Sequence, residues 1–392
     1  MKMGLKTLLA LALVAGTITT NSMPGAQVST ATAAAASVSP KIFGYSDPAA
    51  GRTYIPIRVL STFAGAKINT GKDSKKIEIV KGKHKVVLQT GKKKAEVNGK
   101  KVNLDAAPFA YDGVTYVPLG FAAQHLGLAV KWHESTSSMR ITSSGQSMDL
   151  PIIARGSLTN QPVTYRQQVF YSGGAAFRAN IVTVQLMNSR VSLDAAFAHN
   201  QAGTVQNLKS IASKNYAYAA INATYFDAYS SAIYRAPYGY LVSKGNMKFV
   251  NGGSNLTVFA YDRNHMTRLI PGLQFGKAFD AGQVEGAVQA GPLLVQNGVV
   301  AVNAPREGFR DPAILRGQAA RSAIGITRNH ELIMVTLPKA SMPQLARVMK
   351  QAGAYQAMNL DGGASSGLYM NGKYITKPGR PVSNALLVKV RK

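Results

Sequence analysis

The 392-residue chain carries 45 Lys and Arg against 17 Asp and Glu, a formal net charge of +28, and no cysteine. Without thiols, disulfides, cysteine-based zinc or iron–sulfur sites and thiol nucleophiles are excluded, so the fold must rest on apolar burial. The basic excess is spread over both halves, 17 basic against 8 acidic residues in 41–150 and 26 against 9 in 151–392, and a field of that sign attracts polyanions.

The first 36 residues read as a removable export signal. Lys2 and Lys6 form a basic start, residues 8–15 a short apolar run, and residues 31–36 a small-residue tract offering Ala-x-Ala cleavage. No later stretch reaches the ~18 apolar residues of a membrane span. The remainder is therefore expected to be secreted or associated with the cell envelope. That setting favours a phosphate-bearing glycan or anionic wall polymer as partner over nucleic acid.

Residues 53–68 and 115–130 are copies at an offset of 62: Tyr54 with Tyr116, Pro56 with Pro118, Gly65 with Gly127, then Ile79 with Ile141. A duplicated supersecondary unit accounts for this. Each copy predicts a strand, a helix with proline in its first turn, and a glycine stop. Asn98-Gly99 predicts a tight hairpin between them. This pattern resembles the copper amine oxidase N-terminal-like stalk domain of exported proteins, assigned to residues 37–145. His84, His125 and His133 show no clustered copper-ligand pattern.

Small polar residues 143–147 predict a linker, after which residues 151–392 read as a larger, strand-rich domain. Residues 179–186 alternate as a strand. Thr204 is placed to cap a helix carrying Val205, Leu208 and Ile211. The apolar strand that follows ends in Asn222-Ala223-Thr224-Tyr225-Phe226-Asp227. Further on come a Gly291-Pro292 loop and a strand headed by Arg321. The segment around His330 reads as an exposed turn. Ser341 and Pro343 start a second helix, stopped by Gly353. Its following strand ends in Asn359-Leu360-Asp361-Gly362-Gly363-Ala364-Ser365, a turn whose backbone can approach a ligand closely. Arg380 lies in the loop before the last strand. The whole is α+β: a small duplicated α+β stalk domain, then a larger mixed-sheet α+β domain.

From Asn222 through Leu360-Asp361-Gly362-Gly363 and Ser365 to Arg380 and Asn384, these landmarks resemble the phosphodiester glycosidase family over about residues 175–390. The family's usual Asn-Gly-Gly-Phe-Phe is altered here, Ala223-Thr224 standing for the two glycines. The resemblance implies hydrolysis of a sugar-1-phosphodiester. Asp361 is the first candidate for the catalytic carboxylate, as base, nucleophile or metal ligand, and Asp227 the second. Arg321 and Arg380 would hold phosphate, with Asn222, Gly291, Gly362, Gly363, Ser365 and Asn384 lining the substrate. His199 follows a strand end and could face the same site. The sequence requires no cofactor, although Asp361 could hold a divalent metal with backbone carbonyls. The competing reading is a non-catalytic protein that binds cell-wall or other anionic polysaccharide through its basic surface.

Overall fold

The computed structural model describes residues 41–391 apart from 71–74 and 251–252. The expected export segment lies outside the described residues. The described residues form one compact unit.

The two repeat copies pair with each other. Strand Arg52–Pro56 runs antiparallel to Val114–Pro118, with Tyr54 opposite Pro118, Ile55 opposite Val117, and Pro56 opposite Tyr116. Ile55 and Val117 are equivalent under the 62-residue offset, so the duplication folds as a local pseudo-twofold. Each strand passes into a helix, Ile57–Thr62 and Leu119–Leu126. The prolines sit one position earlier than expected, at the N-cap with extended backbone. Gly127 ends the second helix at φ +63°, a conformation that is cheap for a residue without a Cβ. These strands belong to a seven-stranded sheet, and residues 67–103 fold separately as a five-stranded meander. Ile55, Leu60, Ile77, Leu88, Leu126, Ile141 and Leu150 bury a common core between them. Each such side chain contributes about 1.5–3 kcal/mol.

The expected linker is instead a hairpin. Ser144 and Gly145, both at positive φ, turn strand Ser138–Ser143 back into Gln146–Ala154, its antiparallel partner. Gln146–Ala154 then lies parallel to Gly44–Asp47. The small residues serve a left-handed turn, not a flexible connection.

The rest of the chain forms a second seven-stranded sheet and two five-stranded sheets. Helix Met342–Gln351 starts after Ser341 with Pro343 in its first turn, as predicted, adds a capping box between Ser341 and Gln344, and buries Leu345, Val348 and Met349. The earlier helix differs from expectation. It spans Leu208–Lys214 with Asn207 as N-cap, because the Thr204 hydroxyl is spent on the Ala198 and Gln201 carbonyls at 2.6 and 2.8 Å.

No hinge separates the two parts. Phe43, Tyr45, Tyr116 and Ile153 share one apolar cluster with Val184, Phe259 and Met334. Polar contacts reinforce the seam: Arg328 and Tyr355 both donate to Glu134, and Gln356 Nε2 donates to the Ser135 carbonyl at 3.0 Å. His330 corrects the reading of an exposed turn. Its φ of +55° aims the ring inward, where it is 2% exposed and Nε2 lies 2.9 Å from the Ser137 carbonyl oxygen.

Burial pushes the His330 imidazole down to about 4, since a second proton on Nδ1 would meet no acceptor among the described residues. A histidine with a lowered folded-state pKa supports folding above its ordinary value near 6.5 and withdraws that support as pH falls towards 4. Between pH 7 and pH 4, the wild type should therefore lose about 3 kcal/mol more unfolding free energy than His330→Gln. Urea titrations at each pH check this, and parallel pH slopes for the two proteins would contradict it.

Candidate active site

The site forms at the end of strand Ala219–Asn222, where two sheets that share one apolar cluster come together. Strand Ala219–Asn222 is central in one five-stranded sheet, and strand Ala319–Ile326 is central in the seven-stranded sheet of the same part. Asn222, 1% exposed, ties them. Its Nδ2 donates to the Asp361 carbonyl oxygen at 2.6 Å. Its Oδ1 accepts from Ser322 Oγ at 2.7 Å and from the Gly367 amide at 3.0 Å. Backbone bonds complete the joint, with the Asp361 amide donating to Ala223 O and the Leu360 amide to Ser322 O, both at 2.9 Å.

Asp361 thus stands on a fixed turn, 7% exposed. Burial raises its carboxyl to about 6, opposed by the Ser365 hydroxyl, the Arg380 charge and the Gly362 amide. Arg380 Nε donates to Ser365 Oγ at 2.8 Å, so the serine joins guanidinium to carboxylate. The Arg380 guanidinium also lies 5.5 Å over Phe226 and 4.9 Å over Tyr229. It forms no salt bridge among the described residues, leaving its terminal nitrogens and charge for a ligand. Gly362 is closely packed: a Cβ there would approach Ala320 O to 3.1 Å, so that the backbone would have to give by a few tenths of an ångström, and would meet Arg321 Nη1 at 3.6 Å. Gly363, at φ +58° with open space around it, lies on the outer side of the turn.

Other expected substrate contacts are used by the protein itself. Asn222 has no free amide atom. Asn384 accepts from the Thr224 amide at 2.8 Å and so pins the two loops together. Arg321 is 2% exposed. Its Nε donates to Ala340 O at 2.8 Å, and Nη2 to Ala313 O and Gly317 O at 2.8 and 2.9 Å. Three of its five donors are spent on carbonyls, and Nη1, facing Gly362, is what remains. Gly291, at φ +94°, offers its carbonyl to the Tyr225 hydroxyl and to Asn359 Nδ2 at 2.8 and 2.9 Å. Asp227 closes a turn, accepting from the Ser230 amide at 3.0 Å. Hydrogen bonds from Ser230 hold its carboxyl below the usual range. His199 is exposed at φ +51°, with its ring in no hydrogen bond among the described residues. No three His, Asp or Glu side chains gather as a metal-holding group among the described residues.

Two residues at the site escaped the sequence reading. Tyr225, held by Gly291 and by Asn359 Nδ2 at 2.7 Å, has its pKa raised by burial and then by the Asp361 charge. It stays a neutral phenol beside the carboxylate, and its place three residues after Asn222 was the available signal. Glu307 packs behind Gly291, where a Cβ would come within 2.8 Å of its Oε2. It accepts from the Thr257 amide and hydroxyl at 3.0 and 2.7 Å and from the Leu293 amide at 2.7 Å. No local pattern announces it.

Residues 215–389 match the phosphodiester glycosidase family, and residues 34–141 match the copper amine oxidase N-terminal domain family. No curated protein matches the chain. A solved structure from Synechocystis, described as a hypothetical protein, aligns with a TM-score of 0.51 at 17% identity, covering 87% of this chain and 94% of that one. The zebrafish N-acetylglucosamine-1-phosphodiester alpha-N-acetylglucosaminidase catalytic domain, auto-inhibited by its pro-peptide, aligns with a TM-score of 0.52 at 18% identity, covering 61% and 87%. At such identities the likeness is one of fold. The Asn222, Asp361, Ser365 and Arg380 cluster lies within the matched span.

Asn222→Ala would leave the Ser322 hydroxyl, the Gly367 amide and the Asp361 carbonyl unpartnered. A loss of about 3–5 kcal/mol is expected in denaturant unfolding, and a loss under 1 kcal/mol would show that the joint does not depend on it. Asp361→Asn should act oppositely. A carboxyl whose folded-state pKa is raised penalises folding above that pKa and not below its unfolded value near 4. The variant should gain up to about 3 kcal/mol at pH 8 and nothing at pH 3.5. Equal stability of variant and wild type at pH 8 would refute the buried-carboxylate description.

Proposed function

We propose that this chain hydrolyses a sugar-1-phosphodiester, with Asp361 as the catalytic carboxylate and Arg380 as the phosphate clamp. The observation that carries the reading is the Asp361–Ser365–Arg380 constellation. A buried carboxyl raised to about 6 is linked through one hydroxyl to an unpaired guanidinium, inside the span that matches the phosphodiester glycosidase family.

The chemistry follows from the leaving group. Ordinary glycoside hydrolysis needs a second carboxylic acid to protonate the departing alcohol. A phosphomonoester departs as a weak base, so neutralisation of its charge replaces that acid. Arg380 supplies the charge through its free terminal nitrogens, and Arg321 Nη1 adds a donor next to Gly362. Charge-assisted hydrogen bonds of this kind contribute about 1.5–3 kcal/mol each. As the bond between C1 and the phosphate oxygen lengthens, positive charge develops at C1, facing ionised Asp361. Water then adds to C1 and gives its proton to the carboxylate. The products are the free sugar and a phosphomonoester. Asp227, spent on its turn, and Glu307, with three protein donors, have no part in this scheme. The substrate class is a phosphate-bearing glycan, and the export reading of residues 1–36 places it in the envelope or outside the cell.

A nitrophenyl phosphodiester of a 1-phosphorylated sugar, hydrolysed in ¹⁸O-water, tests this. Label should enter the sugar hydroxyl and not the phosphate, and kcat should rise with pH through an apparent pKa near 6. Asp361→Asn should lower kcat by about 10²–10⁴-fold. Label in the phosphate, or unchanged turnover by a folded Asp361→Asn protein, would overturn the assignment.

A further inference from the structure

Positions 75 to 101 hold ten lysines and two glutamates, so nearly all the basic excess of the first part sits in one stretch. It folds as the strands Lys76–Lys81, His84–Gln89, Lys94–Val97 and Lys100–Asn103 of the antiparallel meander. Little of the charge is neutralised internally. Lys85 Nζ meets Glu78 at 2.6 Å, and Lys81 Nζ donates to Leu126 O and Ser143 Oγ at 2.9 and 2.8 Å. The remaining lysines of the stretch are exposed.

Two open grooves run along this surface. One, of about 830 Å³, is lined by Lys75, Lys92 and Lys93. Its two acids are already engaged, Asp47 with Arg155 at 3.0 Å and Asp105 with Arg52 at 3.2 Å. The other, of about 480 Å³, is lined by Lys76, Lys94 and Lys101 with a single acid, Glu96. Gln89 lines both, so the grooves adjoin and six lysines follow one track. Successive strands of a sheet lie about 4.8 Å apart, which spaces the ammonium rows at the scale of a polymer repeat. Like charges held this close repel one another, and a chain of spaced anions relieves that repulsion while releasing its own counterions.

The composition of the track selects among polyanions. Residues 75–103 include no arginine and no Phe, Tyr or Trp. The larger groove is also lined by Arg155, Phe109 and Tyr54, but the Arg155 fork is paired with Asp47 and covers the Phe109 ring at 3.9 Å, and Tyr54 is buried, so neither a free fork nor an open ring face is offered to a base. What remains is a row of point charges. The geometry points to a binding site for a linear polyol- or sugar-phosphate polymer along Lys75, Lys76, Lys92, Lys93, Lys94 and Lys101. This site goes beyond the hydrolytic reading and uses none of its residues.

The test measures binding of fluorescent poly(glycerol phosphate) to the full chain carrying Asp361→Asn. Hydrolysis then plays no part, and the two proposals fail separately. With six ion contacts, log affinity should fall with log salt at a slope of about −4. Lys92→Ala/Lys93→Ala/Lys94→Ala should bring the slope to about −2 and weaken binding at least tenfold, while Lys214→Ala/Lys350→Ala changes neither. The proposal is overturned by no binding at 50 mM salt, by an unaffected triple variant, or by an equal loss in the control pair. Single-stranded DNA of matched charge binding as tightly as the polymer would also overturn it, marking a nucleic-acid surface.

Discussion

The amide of Asn222 is the joint on which the second part is assembled. It bonds the end of one sheet's middle strand to Ser322 in the middle strand of another and to the Asp361 and Gly367 backbone. Sheet ends expose carbonyls and amides that cannot be left unpaired in an apolar interior. One planar group with donor and acceptor on opposite sides satisfies both sheets at once, and in doing so fixes the turn that carries the carboxylate. Asn384 does the same for the Thr224 loop. The asparagines of the site therefore act through geometry, whereas the terminal nitrogens of Arg380 have no protein partner among the described residues.

That arrangement stores a cost. A carboxyl raised to about 6 favours its neutral form, and the folded protein gives up stability whenever it ionises. Ser365 and Arg380 reduce the penalty without removing it, which keeps the group able to exchange a proton near neutrality. Arg321 shows the opposite solution. Its guanidinium is fixed by carbonyls from residues 313, 317 and 340, and it braces Gly362 from below. Two arginines that look alike in sequence thus differ in how many of their donors the protein has already taken, three for Arg321 and one for Arg380.

The first part is joined to the second through a shared apolar cluster and through His330, which reaches across to Ser137. A tether would need neither. Its duplicated core leaves the lysine-rich meander as a solvent-facing sheet that shares no residue with the candidate site.

The sequence alone determined whatever depends on residues close together in the chain. The 62-residue duplication, the Asn98-Gly99 hairpin, the capped helix after Ser341 and the Asp361-Gly362-Gly363 turn are all local, and their physics is local. The pairing of the two repeat copies about Ile55 and Val117, 62 residues apart, came only with the tertiary structure. The tertiary structure alone decided which polar side chains the protein itself engages. Asn222 finds its partners 100 to 145 residues away, and Glu307 reaches Thr257 across 50. His330 turns from surface to interior only because Ser137, 193 residues earlier, is there to receive it. A side chain's hydrogen-bonding capacity is written in its identity, but whether protein or substrate uses that capacity is settled by whichever partner the packed fold brings within 3 Å.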